Sequence, residues 1–215
     1  MDEKEAQKAI VEPKRFKGYS RSQFHLTEEQ IKQLIKHTEK FRDKLIIKIL
    51  AYCGIRRFEL ASIRVEDINF ETRKITIIGK KSIKRLATIF SDSLLEDLNL
   101  YIQYVLAAKR QGYLFPAVSS LNKRGHISEV QINRIITRAG QRAHISNPIP
   151  DLKNLNPHIL RHSCARILKD RGLSLEVVQG VLGHLSFKTT MDLYGKKSLS
   201  DMDKELKEKA GEMFD

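Results

Sequence analysis

Apolar residues recur at helical spacing along most of the chain and alternate in one short stretch, so the pattern predicts helices around a single small sheet. Thr27 followed by Gln30 is a capping-box signature ahead of IKQLI. A second helix, DKLIIKILAYC, stops at Gly54. RKITIIG and KRLATIF are rich in β-branched residues on either side of a polar KKSI turn and read as a hairpin. Ser91 then starts a long helix with Leu94, Leu95, Leu98, Tyr101, Ile102, Val105 and Leu106 on one stripe. Ser128 with Gln131 opens another, carrying Ile132, Ile135, Ile136 and Ala139. Asn156 as N-cap and Pro157 at the first helical position open a helix that ends before Gly172. At 100° per residue, His158, Arg161, His162 and Ala165 share one side of it, while Leu160, Cys164, Ile167 and Leu168 gather on another. Near the C-terminus, DMDKELKEKAGEMF reads as an amphipathic helix with Met202, Leu206 and Met213 available to pack on its own domain or on a neighbour. The expected fold is mainly α with a small antiparallel β-hairpin.

Composition narrows the class. With 215 residues and 41% hydrophobic content the chain can bury one full core. No apolar run reaches membrane-spanning length, and MDEKEAQKAI is charged from its second residue, so no membrane span or signal peptide is expected and the cytoplasm is the expected location. Cys53 and Cys164 fall in apolar helical patterns without metal-type spacing, which fits reduced core thiols. Lys plus Arg number 39 against 26 Asp plus Glu, a formal charge of +13, which points to a polyanion, and to nucleic acid first. The segment KRFKGYSR holds Lys14, Arg15, Lys17 and Arg21 with two aromatics and no acid; it is either a strap along a DNA backbone or an ordinary solvated linker. The tail from Gly195 onward is near neutral, with five Lys against six acids, and is not expected to hold DNA.

The candidate chemistry lies in the last third. Arg161 stands in NPHILRHSCARIL, and His184 and Tyr194 stand in LGHLSFKTTMDLY. A phosphodiester under attack gathers charge on its non-bridging oxygens, which calls for fixed cationic donors and a path for protons. Arg supplies a bidentate fork, His a donor or acceptor near neutrality, and Tyr an oxygen able to form a covalent ester. His158 falls in the first helical turn, where free N–H groups and the positive dipole end attract phosphate. His158 and His162 also have the i, i+4 spacing of a metal pair, but no third ligand of obvious type follows, so neither metal nor other cofactor is expected. Among the other tyrosines, Tyr52, Tyr101 and Tyr104 sit in apolar helical patterns and read as core or interface residues, whereas Tyr19 and Tyr113 are in loop-like surroundings.

These segments resemble the tyrosine recombinase (integrase) family, whose C-terminal half reads H-x-x-R-H, then L-G-H, then T-T and a Tyr. Upstream, AYCGIRRFELASIRVEDI is similar to that family's first-arginine segment and ITIIGKKSIKRLATI to its lysine hairpin; the resemblance runs in order over roughly residues 24 to 200. It implies the catalytic-domain fold of that family over 24–200, between a basic arm at 1–23 and a helical tail at 201–215. It also implies a catalytic set of Arg56, Lys80, His158, Arg161, His184 and Tyr194. Arg56 is singled out over Arg57 by the family's spacing of Gly, apolar, Arg, two residues, Glu, which makes Glu59 its buttress; an ordinary helix-face pair of Arg57 with Glu59 is the alternative. The implied partner is duplex DNA, with self-association on it as a tetrameric synapse. Lys14, Arg15, Lys17, Arg21, Arg57, Lys81, Lys84 and Arg85 are the expected DNA-contacting cations. A type IB topoisomerase uses a similar residue set, and a non-catalytic DNA-binding module would share the basic fold.

Two departures matter. Lys81 stands where the family has a glycine after its lysine, and Lys84 is close, so three lysines compete for one role. Tyr194 follows His184 by 194 − 184 = 10 positions, one more than is usual in the chromosome-dimer-resolving members. One extra residue in a helix turns a side chain by about 100°. The chain is therefore expected to absorb it in a loop or bulge, or to carry the tyrosine segment elsewhere, including into a neighbour's site.

Overall fold

The computed structural model describes residues 24–79, 84–108, 110–117, 123–150, 152–183 and 199–210. Helices α1 (Glu28–Lys36), α2 (Phe41–Tyr52) and α3 (Arg57–Ser62) precede a sheet of β1 (Ile68–Asn69), β2 (Lys74–Ile78) and β3 (Lys84–Thr88). Helices α4 (Asp92–Leu100), α5 (Glu129–Arg142), α6 (Pro157–Asp170), α7 (Leu175–Leu182) and α8 (Leu199–Ala210) follow. The fold is thus mainly α with one small antiparallel sheet. Among the described residues no helix is long and apolar enough to cross a membrane.

The core is organised around α2. Leu45, Ile46, Ile47, Ile49, Leu50, Ala51 and Tyr52 are buried, covering its whole circumference, which is the signature of a helix surrounded by others. It packs against α1, α3, α4, α5 and α6. Each neighbour contributes the stripe its sequence predicts: Ile31 and Leu34 from α1, Ile132, Ile135, Ile136 and Ala139 from α5, and Leu160, Cys164, Ile167 and Leu168 from α6. Cys53 and Cys164 are free and buried, and burial pushes the Cys53 thiol up to about 12, so both are core thiols.

The expected caps are present. In α1 the Gln30 N–H donates to Thr27 Oγ1 at 3.2 Å while the Thr27 N–H donates to Gln30 Oε1 at 2.9 Å. Ser128 Oγ accepts from the Gln131 N–H at 3.1 Å, and Asn156 Oδ1 accepts from the N–H groups of His158 (3.0 Å) and Ile159 (3.3 Å).

The hairpin is also as expected, with Ile75 opposite Ala87 and Ile77 opposite Arg85. The two-residue β1, too short to show any alternation, adds a third strand beside β2. Ile75, Ile77 and Ala87 point into the core, whereas Ile78 and Leu86 are exposed.

The long helix from Ser91 differs from expectation. Its α-helical part stops at Leu100 and continues as a π-helical turn over Tyr101–Val105, closed by the Leu106 N–H donating to Tyr101 O five residues back. The wider turn places Leu106 beneath Tyr101 and rotates Tyr104 and Val105 outward. Tyr101 and Leu106 are buried, but Tyr104 is 78% exposed and Val105 52% exposed, so neither belongs to the core. Tyr52 is buried as expected.

The tail helix docks on its own domain and begins at Leu199. Leu206 and Ala210 are buried and Met202 packs against the core; Met213 lies outside the described residues. Polar ties reinforce the contact. The Asp203 carboxylate accepts from Lys74 Nζ, Glu205 Oε1 accepts from the Ser174 N–H at 2.8 Å, and Lys209 Nζ donates to Gly172 O at 2.8 Å.

One buried polar link is invisible in the hydrophobic pattern. Ser163 Oγ, in the middle of α6, accepts from the Leu26 N–H at 2.8 Å and donates to Ile159 O at 2.7 Å. It fastens the segment before α1 to the helix that carries His158 and Arg161. Replacing Ser163 by Ala strands the buried Leu26 N–H, and urea denaturation should show about 1–3 kcal/mol lower stability at unchanged slope. An unchanged midpoint would mean that water takes over the bond.

Candidate active site

Arg56 owes its place to the turn that ends α2. Gly54 adopts φ +57, a left-handed conformation, and a Cβ there would lie 2.9 Å from Leu182 Cδ2 and 3.2 Å from Cys164 Sγ. The chain therefore reverses tightly between α6 and α7, buries Ile55, and presents Arg56 as the N-cap of α3. Glu59, at the third helical position, reaches back: its Oε2 accepts from the Arg56 N–H at 2.7 Å and its Oε1 from Arg56 Nη1 at 3.1 Å. The Arg56 side chain is 36% exposed, whereas the Glu59 side chain is fully buried.

The same carboxylate takes a second guanidinium. Arg85, from β3, donates through Nη2 to Glu59 Oε2 at 2.8 Å. Burial pushes the Glu59 carboxyl up, but the hydrogen bond and charge of Arg85 and the hydrogen bonds from Arg56 outweigh it and hold the group below its ordinary range. It stays ionised at neutral pH. Arg57 turns away, pairing with Glu129 Oε2 at 2.8 Å, so Arg56 and not Arg57 is the partner of Glu59.

Arg161 approaches from the other side. Its Nη1 donates to Gly54 O and its Nη2 to Leu182 O at 2.7 Å, so it ties the turn after α2 to the end of α7. Burial, followed by the charges of Arg56 and Arg85, pushes its guanidinium down to about 10, which leaves it cationic at neutral pH. Arg56 and Arg85 share the Glu59 carboxylate and Arg161 lies close enough to feel all three charges, a formal balance of 3 − 1 = +2. Such a cluster carries surplus positive charge, which is the chemistry that suits an anion such as a phosphate.

His158 sits exposed in the first turn of α6, three residues before Arg161 and so on the same side of the helix. Two of the amides expected to meet a phosphate there are taken by Asn156, so the attraction that remains comes from the helix dipole and the side chains. His162 Nε2 is buried without a hydrogen-bond partner among the described residues. No group of three metal-ligating side chains occurs among the described residues.

Of the expected DNA-contacting cations, Lys84 is exposed at the start of β3. Arg85 corrects the expectation. It is only 13% exposed, its charge is engaged by Glu59, and its Nη1 lies 3.4 Å from Val181 O, so it faces the protein. The alternation of β3 carries the signal: Arg85, Ala87 and Ile89 share the inward face, and Lys84, Leu86 and Thr88 the other. Lys80, Lys81, His184 and Tyr194 lie outside the described residues, as do Lys14, Arg15, Lys17 and Arg21. The described chain nevertheless reaches Gly79 on one side and Gly183 on the other, both next to residues of the expected set.

Comparison with known proteins agrees with this geometry. The phage integrase family model matches residues 25–199. The chain is 34% identical over 167 residues to the tyrosine recombinase XerA of Pyrococcus furiosus, covering 77% of this chain and 54% of that protein. A crystal structure of XerA recombinase superimposes with a TM-score of 0.63 at 26% identity, over 86% of this chain and 64% of that one. The XerH site-specific recombinase in a pre-cleavage complex with its difH substrate matches with a TM-score of 0.55 at 25% identity, over 78% of this chain and 48% of that one. The chain spans about half the length of the curated relatives it matches. With the arginine, histidine and glutamate positions falling in order inside the matched span, this chain belongs to the phage integrase family, the tyrosine recombinases.

Proposed function

We propose that this chain is the catalytic domain of a site-specific DNA recombinase that cleaves and rejoins duplex DNA through a 3′-phosphotyrosyl intermediate, without metal or ATP. The observation that carries the reading is the pairing of Arg56 and Arg85 on the single carboxylate of Glu59 with Arg161 nearby, itself one helical turn after His158. A surplus of fixed positive charge at a partly exposed site suits a phosphodiester, whose charge on the non-bridging oxygens grows during attack. The family relationship and the solved complex of XerH with its DNA substrate support it.

Each residue has a definite task in this mechanism. The Tyr194 phenol oxygen attacks phosphorus and loses its proton to His158. Arg56, Arg161 and His184 hold the non-bridging oxygens. The bond to the 5′ oxygen breaks, and Lys80 donates the proton that makes it a hydroxyl. The phosphotyrosyl ester keeps the energy of the broken phosphodiester, so a 5′ hydroxyl from another strand reverses the step and releases Tyr194. Exchange between duplexes requires several active sites on one DNA assembly, and the chain is accordingly assigned a tetrameric synapse. Lys84 and Arg57, with Lys81 and the cations Lys14, Arg15, Lys17 and Arg21, are assigned to the DNA backbone. The cytoplasm, where the DNA is accessible, is the assigned location.

A nicked suicide substrate, from which the cleaved 5′ fragment diffuses away, tests the reading directly. Wild-type protein should give a covalent protein–DNA adduct on a denaturing gel. Tyr194→Phe should give none while binding the same duplex with an affinity within about threefold, because phosphate contacts supply most of the binding. An adduct formed by the Phe variant would move the nucleophile to another tyrosine, and no adduct from wild type would reduce the chain to a DNA-binding module.

The three lysines are separated by leaving-group chemistry. Lys80→Ala should slow cleavage by roughly 10²–10⁴ on ordinary DNA, the range for a lost general acid, and much less where sulfur replaces the bridging 5′ oxygen. Lys81→Ala and Lys84→Ala should show no such rescue. Rescue at either of those positions would transfer the acid role to that residue.

A further inference from the structure

The strand cation that faces inward has a place too specific for a chance ion pair. Arg85 spans from β3 to the N-terminus of α3, where its Nη2 holds Glu59 Oε2 at 2.8 Å. Its arm is packed under the end of α7: a Cβ built on Gly183 would fall 2.3 Å from Arg85 Cδ and 2.4 Å from its Nε. Gly183 also has φ +61, a conformation that other residues adopt only with strain, and any Cβ there would displace the Arg85 arm. Arg85 Nε is buried with no acceptor among the described residues, and Nη1 reaches only the carbonyl of Val181 at 3.4 Å. The side chain is therefore pinned in place, with its best bond reserved for Glu59.

Glu59 in turn sets Arg56 through both backbone and guanidinium. Two lone-pair sites of one carboxylate oxygen serve Arg56 N–H and Arg85 Nη2 together, so moving Arg85 lets the carboxylate rotate and takes the Arg56 fork with it. We propose that Arg85 is a positioning residue for the DNA-cleavage site, acting from beneath α7 through Glu59 to hold Arg56 at the phosphate. This inference rests on the recombinase reading above. It differs from the simpler role of a DNA-contacting cation, which would need the guanidinium at the surface. Because β3 is paired with β2 along its whole length, the hairpin and the arginine cluster are keyed to one another by this one side chain.

Single-turnover adduct formation on the nicked substrate, measured beside duplex affinity, tests it. Arg85→Met should slow the saturated cleavage rate by roughly 10–100-fold, the scale of an ångström-level misplacement, while affinity stays within about threefold. Glu59→Gln should slow cleavage comparably. The double variant Arg85→Met with Glu59→Gln should be no slower than Glu59→Gln within about threefold, because Arg85 works through Glu59. The double variant also removes the carboxylate charge that Arg85→Met alone leaves half-paired; should the single variant fail to fold, the double against Glu59→Gln decides the matter by the same criterion. A wild-type cleavage rate for Arg85→Met overturns the proposal. So does a loss confined to affinity, which would make Arg85 a DNA contact, or a further tenfold loss in the double variant. Absence of adduct from wild-type protein defeats the recombinase reading itself, and this inference with it.

Discussion

A single buried carboxylate organises the site. Glu59 is fully buried and ionised, a state that burial alone disfavours strongly and that only the two guanidinium groups of Arg56 and Arg85 make tolerable. Its partners come from different elements, one from the turn before α3 and one from β3, so the ion triad sets the helical core and the sheet in register with each other. Removing one partner of such a buried pair typically costs about 3–5 kcal/mol, because the remaining charge is left uncompensated. The arrangement therefore specifies a geometry as much as it stabilises the fold.

Arg161 performs the complementary task with neutral partners. Its two terminal nitrogens donate to Gly54 O and Leu182 O, so the guanidinium is oriented without being neutralised. The cluster keeps its net positive charge, and the electrostatic cost shows in the pKa of Arg161, pushed down by burial and by Arg56 and Arg85. Each backbone acceptor is available only because the chain turns at its helix end. Gly54 makes one turn and Gly183 the other, and both have left-handed φ. Two helix termini and one helix side thus meet around a guanidinium, with α2 as the common core behind them.

The placement of His158 follows from the start of α6. Asn156 caps two amides there, Pro157 fills the position that needs no N–H, and Ser163 anchors the helix to Leu26. The side chain of His158 is left exposed on the same face as Arg161.

Local chemistry accounts for what was legible in the sequence. Capping residues, helical stripes and the β-branched hairpin are short-range features, and α1, α5, α6 and the β2–β3 pair occur where they predict. Ordered motifs marked Arg56, His158 and Arg161 and named Glu59 as the buttress of Arg56. Where the pattern failed, nonlocal or subtle backbone effects decided. A π turn after Leu100 put Tyr104 and Val105 outside, since one wider turn shifts the phase of every residue that follows it. β1 acquired its strand character only from pairing with β2. Arg85 read as a surface cation by charge, yet the partner that draws it inward lies 26 residues away in sequence, on α3, and the space it occupies is made by the missing Cβ of Gly183. Residue types and spacing determined which groups of this chain are candidates for phosphate chemistry. Tertiary structure alone decided which arginine stays partly exposed and which one is drawn beneath α7, because a guanidinium's place is set by the acceptors within its reach.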